Sequence, residues 1–346
     1  MVGRPQQRVT LDDVARLAGV TKGTVSKVLN ERSDVAADTR ARVFAAVDEL
    51  GYRPPSSQWN LPRARTLAAV FDALDSPYIT HVLQGILDAA TAADTSLLVR
   101  LAPDRAVRNT RAAARAWVAE QQAAGVVGIV GLTLGTPGAL LEAAAEAGIP
   151  FVMVDPVDLD DPDVVSVGST NWAGGRTATE HLLTLGHRRI AWVGGPETSA
   201  AARERFHGYR AALDSAGVDV EPGLVRHGPF SVDTGRACGH ELLSAPHPPT
   251  AVITGDDEIA VGVLGAARAL DVPVPGRLSV VGFDDTPQAA WTTPPLTSVH
   301  QPLSGMGRVA VETVLAMAVG TAPASRYVQL ATSLVVREST APADDA

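Results

Sequence analysis

Residues Thr21 to Asn30, TKGTVSKVLN, decide how this chain is read. The run has one apolar and one polar side at helical spacing. Val25, Val28 and Leu29 share a face that would pack inward, while Lys22, Gly23, Ser26 and Lys27 lie mostly opposite. Thr21 suits the N-cap, where its hydroxyl can accept from a first-turn amide. The preceding segment, LDDVARLAGV, reads as a partner helix, with Thr10 and Asp13 placed as a capping box. Gly19 supplies the tight turn. Two short helices joined through Gly are the outline of a helix-turn-helix, whose second helix enters the DNA major groove.

Charge agrees with that outline. Lys22 and Lys27 are the only two lysines in the chain. The whole chain carries −9, yet residues 1–65 hold eleven Lys and Arg against seven Asp and Glu, a net of +4. The rest is −13. A basic end on an acidic body confines nucleic-acid binding to that end. One cysteine, Cys238, excludes an internal disulfide and fits a reducing compartment. The start, MVGRPQQR, lacks the apolar core of a signal peptide, and no run is long enough to span a bilayer.

VTLDDVARLAGVTKGTVSKVLNERSDVAADTRARVFAAVDELGYRP, Val9 to Pro54, resembles the LacI family of bacterial transcriptional repressors. The resemblance implies a DNA-binding head over 1–55 and a hinge over 56–65. A third helix would run from Ala37 to Leu50 with Val43, Ala46, Val47 and Leu50 inward; Ala36 stands where the family usually has a Ser cap. The side chains after the cap of helix two read bases in the family, which carries over to Lys22, Gly23 and Lys27. Gly23 has nothing to read with, and Lys lacks the bidentate geometry of Arg. Thr10, Ser26, Asn30 and Thr39 are candidates for phosphate contacts, which position without specifying sequence. The family's minor-groove wedge falls on Leu61, with Pro62 directly behind it to stop a hinge helix. A plain linker is the competing reading of that segment.

From Thr66 the texture changes. Short apolar runs (LAAVFD, SLLVRL, GVVGIVG, PFVMVD, DVVSVG, RIAWVGG, TAVITG, LSVVGFD) alternate with amphipathic segments. That alternation predicts parallel sheets covered by helices on both faces. There are too many units for one small domain, so two doubly wound lobes with a cleft fit best. ATEHLLTLGHRRIAWVGGP, RERFHGYRAAL, GDDEIAVGVLGAARALDVPVP and PPLTSVHQP extend the resemblance to about Ser339. They imply a periplasmic-binding-protein-like effector and dimerisation domain over 66–339. The chain would cross between lobes near 166, 296 and 326, and 340–346 would be a disordered tail.

The same resemblance places effector contacts at Ser76, Tyr78, Asp155, Arg205, Phe230, Asp256, Asp284 and Gln301. Carboxylates and amides can hold sugar hydroxyls, Arg can donate to oxygens, and Phe230 and Tyr78 can stack on a sugar face. Each assignment has a plainer rival. Asp256 and Asp284 are ligand contacts or helix caps. Arg205 is a ligand donor or a structural ion pair. Phe230 is pocket wall or core. Three acids favour a neutral, hydroxyl-rich ligand over an anion.

No HExxH, GxSxG or phosphate loop is present, the histidines lack metal-ligand spacing, and Cys238 reads as a packing residue. The expected protein is therefore not an enzyme and carries no cofactor or metal. It is a cytoplasmic repressor of carbohydrate-utilisation genes, binding a pseudo-palindromic operator as a homodimer and released by a sugar. A purine-like or phosphorylated co-repressor is the alternative effector. The tail ESTAPADDA has no leucine heptad, which argues for a dimer over a tetramer. The dimer seam would involve the helix near Tyr78–Ala90, with Val82 and Ile86 either inward or across the seam.

Overall fold

The computed structural model describes residues 10–29, 35–50, 65–104, 110–135, 138–157 and 164–343. The chain forms two compact units, Met1–Ala64 and Arg65–Ala346. Each is described by itself.

The first unit holds α1 (Leu11–Ala18), α2 (Lys22–Leu29) and α3 (Ala37–Leu50). Thr10 and Asp13 cap α1 reciprocally. The Thr10 amide donates to Asp13 Oδ2 at 2.9 Å and the Asp13 amide to Thr10 Oγ1 at 3.4 Å. Gly19 ends the helix with φ 65°, a conformation that Gly adopts without a Cβ penalty. The Thr24 amide donates to Thr21 Oγ1 at 3.2 Å, so Thr21 caps α2. Val14, Val25, Val28 and Val43 are fully buried and, with Ala18, Ala46 and Val47, form the small core. Such a core is short of apolar area, which is why the caps at 10 and 21 matter; each is worth about 1 kcal/mol.

The second unit contains two lobes built alike. The first sheet comprises β1 (Thr66–Phe71), β2 (Ser96–Leu101), β3 (Val126–Leu132), β4 (Phe151–Val154), β5 (Val165–Ser169) and β11 (Tyr327–Leu330). Its order is β11-β5-β4-β3-β1-β2, and every pairing is parallel. Helices α4 (Pro77–Ala92) and α12 (Leu303–Ala318) cover one face, and α5 (Arg111–Ala123) and α6 (Gly138–Glu146) the other. Being covered on both faces is what makes the central strands continuous apolar runs.

The second sheet comprises β6 (Ile190–Gly194), β7 (Val225–His227), β8 (Ala251–Thr254), β9 (Ser279–Asp284), β10 (Thr297–His300) and β12 (Ser333–Val335). Its order is β12-β10-β9-β8-β6-β7, with only β12 antiparallel, against β10. Helices α7 (Asn171–Thr184) and α8 (Ala200–Ser215) cover one face; α9 (Val232–Leu243) and α10 (Asp257–Ala269) cover the other. A short α11 (Pro287–Trp291) follows β9. In each lobe the strand order reverses beside the first strand, between β1 and β3 and between β6 and β8. Such switch points are where open α/β sheets bind ligands.

Val82 and Ile86 are fully buried within the chain, so both point inward. The α4–α12 contact is close because it is built on glycine. A Cβ on Gly85 would sit 2.0 Å from the Ser304 carbonyl oxygen, and one on Gly307 would sit 2.3 Å from that of Val82.

The crossings lie after Ser169, after His300 and between Leu330 and Ser333, a few residues beyond 166, 296 and 326. Each exiting strand pairs with its sheet to its last residue, and that long-range pairing leaves no local mark in sequence. Residues 340–343, expected within a disordered tail, are instead held to the second lobe. The Ala341 amide donates to Ser279 Oγ at 3.1 Å, its carbonyl lies 3.0 Å from His187 Nε2, and the Ala343 amide donates to the Leu185 carbonyl at 2.8 Å. Buried Ser279 and His187 need these partners. Among the described residues no helix is long and apolar enough to cross a membrane, and no cluster of three potential metal ligands occurs.

Candidate functional site

Both switch points open on one cavity of about 390 Å³ between the lobes. It is lined from the first lobe by Ser76, Tyr78 and Asp155 and from the second by Arg205, Phe230, Asp256 and Asp284, together with further residues. Seven of the eight expected effector residues therefore meet in one place. The backbone is strained there. Thr133, Asp155 and Asp284, each at or just past a strand end, have φ values of 48°, 42° and 101°. Non-Gly residues held at positive φ cluster at sites where side-chain aim matters more than local comfort.

Arg205 on α8 is 3% exposed. Its Nε donates to Asn171 Oδ1 at 2.8 Å, and its Nη1 to the Gly255 carbonyl at 2.6 Å and Asp284 Oδ1 at 3.4 Å. The guanidinium also lies 3.9 Å from the Phe283 ring centroid. Arg205 is thus both ion-paired and at the cavity wall. Asp256 also combines two placements. It lines the cavity and caps α10, accepting from the Ile259 amide at 2.7 Å. Asp284 is not the cap of the following helix, a place taken by Thr286; it pairs with Arg205 and accepts from Gln301. Phe230 is 36% exposed and belongs to the wall, not the core. Gly195 makes room for it, since a Cβ there would lie 2.1 Å from the ring.

Gln301 is the expected contact that does not line the cavity. It is 1% exposed and sits behind Asp284, donating to it through Nε2. The motif located the residue but not its depth. Sequence reasoning missed Asp72, Asp75, Thr133, Ser199 and Glu258, which also line the cavity. The DDE run at 256–258 was the available signal, because alternate residues at a helix start can share one opening. Asp257, between them, faces inward instead. It accepts from the Thr286 amide at 2.7 Å, Thr286 Oγ1 at 2.9 Å and Ser298 Oγ at 2.6 Å, and so fixes the loop after β9.

Burial dominates the electrostatics. It pushes Asp256 up to about 7 and Asp257 up to about 6, in each case against hydrogen bonds that favour the charged form. Burial also raises Asp284 well above the usual carboxylate range, opposed by Arg205. Asp155 is raised by burial and partly held down by the Tyr78 hydroxyl, which donates to its Oδ2 at 2.6 Å. The cavity thus offers carboxyl groups, two aromatic faces and one committed guanidinium. That suits a ligand rich in hydroxyls.

In the head, Lys22, Gly23, Ser26 and Lys27 are all exposed on the side of α2 away from buried Val25 and Val28. Lys22 Nζ donates to Asp12 Oδ2 at 2.9 Å, which ties this exposed amine to α1. Thr39 is half-buried on α3. The Thr10 hydroxyl donates to Asp13 Oδ2 at 2.6 Å, so its hydrogen is already used in the cap. Asn30 and Leu61, with the rest of the hinge, lie outside the described residues.

Comparison with known proteins agrees with this architecture. Residues 10–55 match the profile of bacterial regulatory proteins, lacI family, and residues 179–340 that of the periplasmic binding protein-like domain. The HTH-type transcriptional regulator CelR of Thermobifida fusca is 33% identical over 96% of this chain and 99% of its own. The chain belongs to the lacI family of bacterial regulatory proteins. The regulator MalR of Streptomyces coelicolor is 35% identical, covering 96% of this chain and 97% of its own. Among solved structures, a lac repressor dimer bound to operator and an anti-inducer matches with a TM-score of 0.81 at 30% identity, over 97% of this chain and 100% of that one. A CelR–cellobiose complex matches with a TM-score of 0.71 at 33% identity, over 96% and 100%. This lacI-family protein is a DNA-binding transcription regulator and not an enzyme.

Proposed function

We propose that this regulator represses carbohydrate-utilisation genes by holding a pseudo-palindromic operator as a homodimer, and that a neutral sugar in the interlobe cavity releases it. The carrying observation is the cavity itself. Tyr78 and Phe230 offer apolar faces, Asp155, Asp256 and Asp284 offer acceptors, and Arg205 is already paired. No uncommitted Arg stands among these groups to hold an anion, whereas carboxyl groups, raised by burial, can accept from sugar hydroxyls and, when protonated, donate to them. CelR in its complex with cellobiose is a relative of the same architecture with a disaccharide bound.

In the head, Lys22 and Lys27 donate to base edges, Gly23 leaves its readout position blank, and Ser26, Asn30 and Thr39 hold phosphates, while both donors of Thr10 are committed to Asp13. Leu61 wedges the minor groove. Each head reads one half-site, because protein two-fold symmetry mirrors operator symmetry. The dimer seam runs along the exposed side of α4 and its surroundings, where Leu74 and Leu87 are half exposed, with Val99 and Leu101 on edge strand β2. The sugar must bind the released state more tightly than the DNA-bound state, since only differential affinity shifts the equilibrium.

The test is an operator selected from random duplexes, titrated with cellobiose, maltose, ribose, hypoxanthine and glucose 6-phosphate. Weaker DNA binding with a neutral sugar supports the reading. Tighter binding with the purine or the phosphorylated sugar would replace it with a co-repressor.

A further inference from the structure

Five buried side chains close a ring at the point where the chain passes between lobes. Ser169 Oγ donates to Gln301 Oε1, and Gln301 Nε2 donates to Asp284 Oδ1. Arg205 Nη1 donates to the same Asp284 oxygen at 3.4 Å, and Arg205 Nε to Asn171 Oδ1 at 2.8 Å. Asn171 Nδ2 returns to the Ser169 carbonyl at 3.3 Å. All five residues are at most 5% exposed.

The position of the ring is what gives it a role. Ser169 ends β5 in the first lobe and Asn171 opens α7 in the second, so they bracket the first crossing. Gln301 follows β10 at the second crossing. The third crossing is tied in through Gln329, whose Nε2 donates to the Ser169 carbonyl at 3.2 Å, and through Thr332, whose amide donates to Thr170 Oγ1 at 2.9 Å. On the far side, Asp284 and Arg205 form cavity wall. One connected set of hydrogen bonds therefore reaches from the cavity wall to all three crossings.

We infer that Gln301 and Ser169 are positioning residues that transmit the state of the cavity wall to the interlobe crossings. Gln301 spans the lobes because an amide can accept from Ser169 and donate to Asp284 at once, a pair of roles no hydroxyl of that length and no carboxylate supplies. A buried network of this kind is fully satisfied only in one arrangement, so displacing Asp284 forces a rearrangement at Ser169. Its regulatory meaning rests on the effector reading of the cavity. The test below uses no effector, so that reading and this one can fail separately.

The experiment is amide hydrogen exchange on the full-length protein, following peptides over 165–171 and 327–332, in a cycle of Asp284→Asn and Gln301→Leu. The inference predicts that Asp284→Asn accelerates exchange at these first-lobe segments by about tenfold in the parent, and less than about twofold when Gln301 is already Leu. Ser169→Ala, a milder change, must reproduce the same loss of transmission if Gln301→Leu does not fold. Gln301→Asn, which keeps both roles on a shorter stem, should restore part of it. Equal acceleration in all backgrounds would overturn the inference, because a merely structural residue lowers stability without removing the coupling.

Discussion

The Tyr78 hydroxyl donates to Asp155 across 2.6 Å, joining the first turn of α4 to the end of β4 between residues 77 positions apart in sequence. Burial, then the Asp155 charge, raises the Tyr78 phenol well above its ordinary value, so it remains a donor throughout the working pH range. Tyr78→Phe keeps the ring and removes the donor. It should destabilise the protein by roughly 1–3 kcal/mol, because a buried carboxyl loses its partner. Denaturant melts of the two proteins check this. An unchanged midpoint would mean that Asp155 finds another donor.

Arg205→Ala should be more damaging. It deletes the cation facing buried Asp284, and breaking a buried pair from one side costs about 3–5 kcal/mol. The effector response should vanish while Lys22 and Lys27 keep their place in the separate head unit. Thermal melts and DNA binding on the same preparation distinguish a folded, unresponsive variant from an unfolded one.

The pH dependence has a definite sign. Asp256 rises to about 7 and Asp257 to about 6, above their unfolded values near 4. The folded state therefore binds more protons than the unfolded state in that window. Stability from these groups is present below about pH 4 and is lost as pH rises through about 6 to 7. Asp256→Asn keeps an N-cap of similar quality and removes the titration. The variant should show a flatter fall in melting temperature between about pH 5 and 8, the difference being on the order of a few kcal/mol. Parallel profiles would show that Asp256 does not titrate there.

Lys22→Ala and Lys27→Ala should each weaken binding to a selected operator by about 1 kcal/mol or more and leave the effector site intact. Asp12→Ala should act in the opposite direction at low salt, since it removes the carboxylate that holds Lys22. Leu61→Ala should reduce specific binding more than binding to random duplex, because unstacking helps only at a site that can kink. Fluorescence anisotropy with both DNAs measures all four.

Much of this was legible in sequence because the signals are local. The caps at Thr10 and Thr21, the αL Gly19 and the buried faces of α2 and α3 each follow from residues a turn or two apart. The two parallel sheets followed from alternation of apolar runs. What stayed hidden depends on distant partners. Nothing near 169, 301 or 331 announces a crossing, since its position is set by which sheet the strand pairs with. Residues 340–343, TAPA, read as part of a loose tail until Ser279 and His187 are seen to bind Ala341. The motif found Gln301, yet only the fold shows that it holds Asp284 from behind. Whether Val82 and Ile86 faced inward was likewise settled by α12, more than 200 positions later in the chain.

The most direct test of the central claim is titration of the protein–operator complex with neutral sugars, alongside thermal melts of the free protein. The account predicts that one neutral sugar both lowers operator affinity and, at about 100 times its Kd, stabilises the free protein by ~2.7 kcal/mol, with both effects lost in a folded Arg205→Ala variant. Stabilisation only by a purine or a phosphorylated sugar, accompanied by tighter DNA binding, would contradict it.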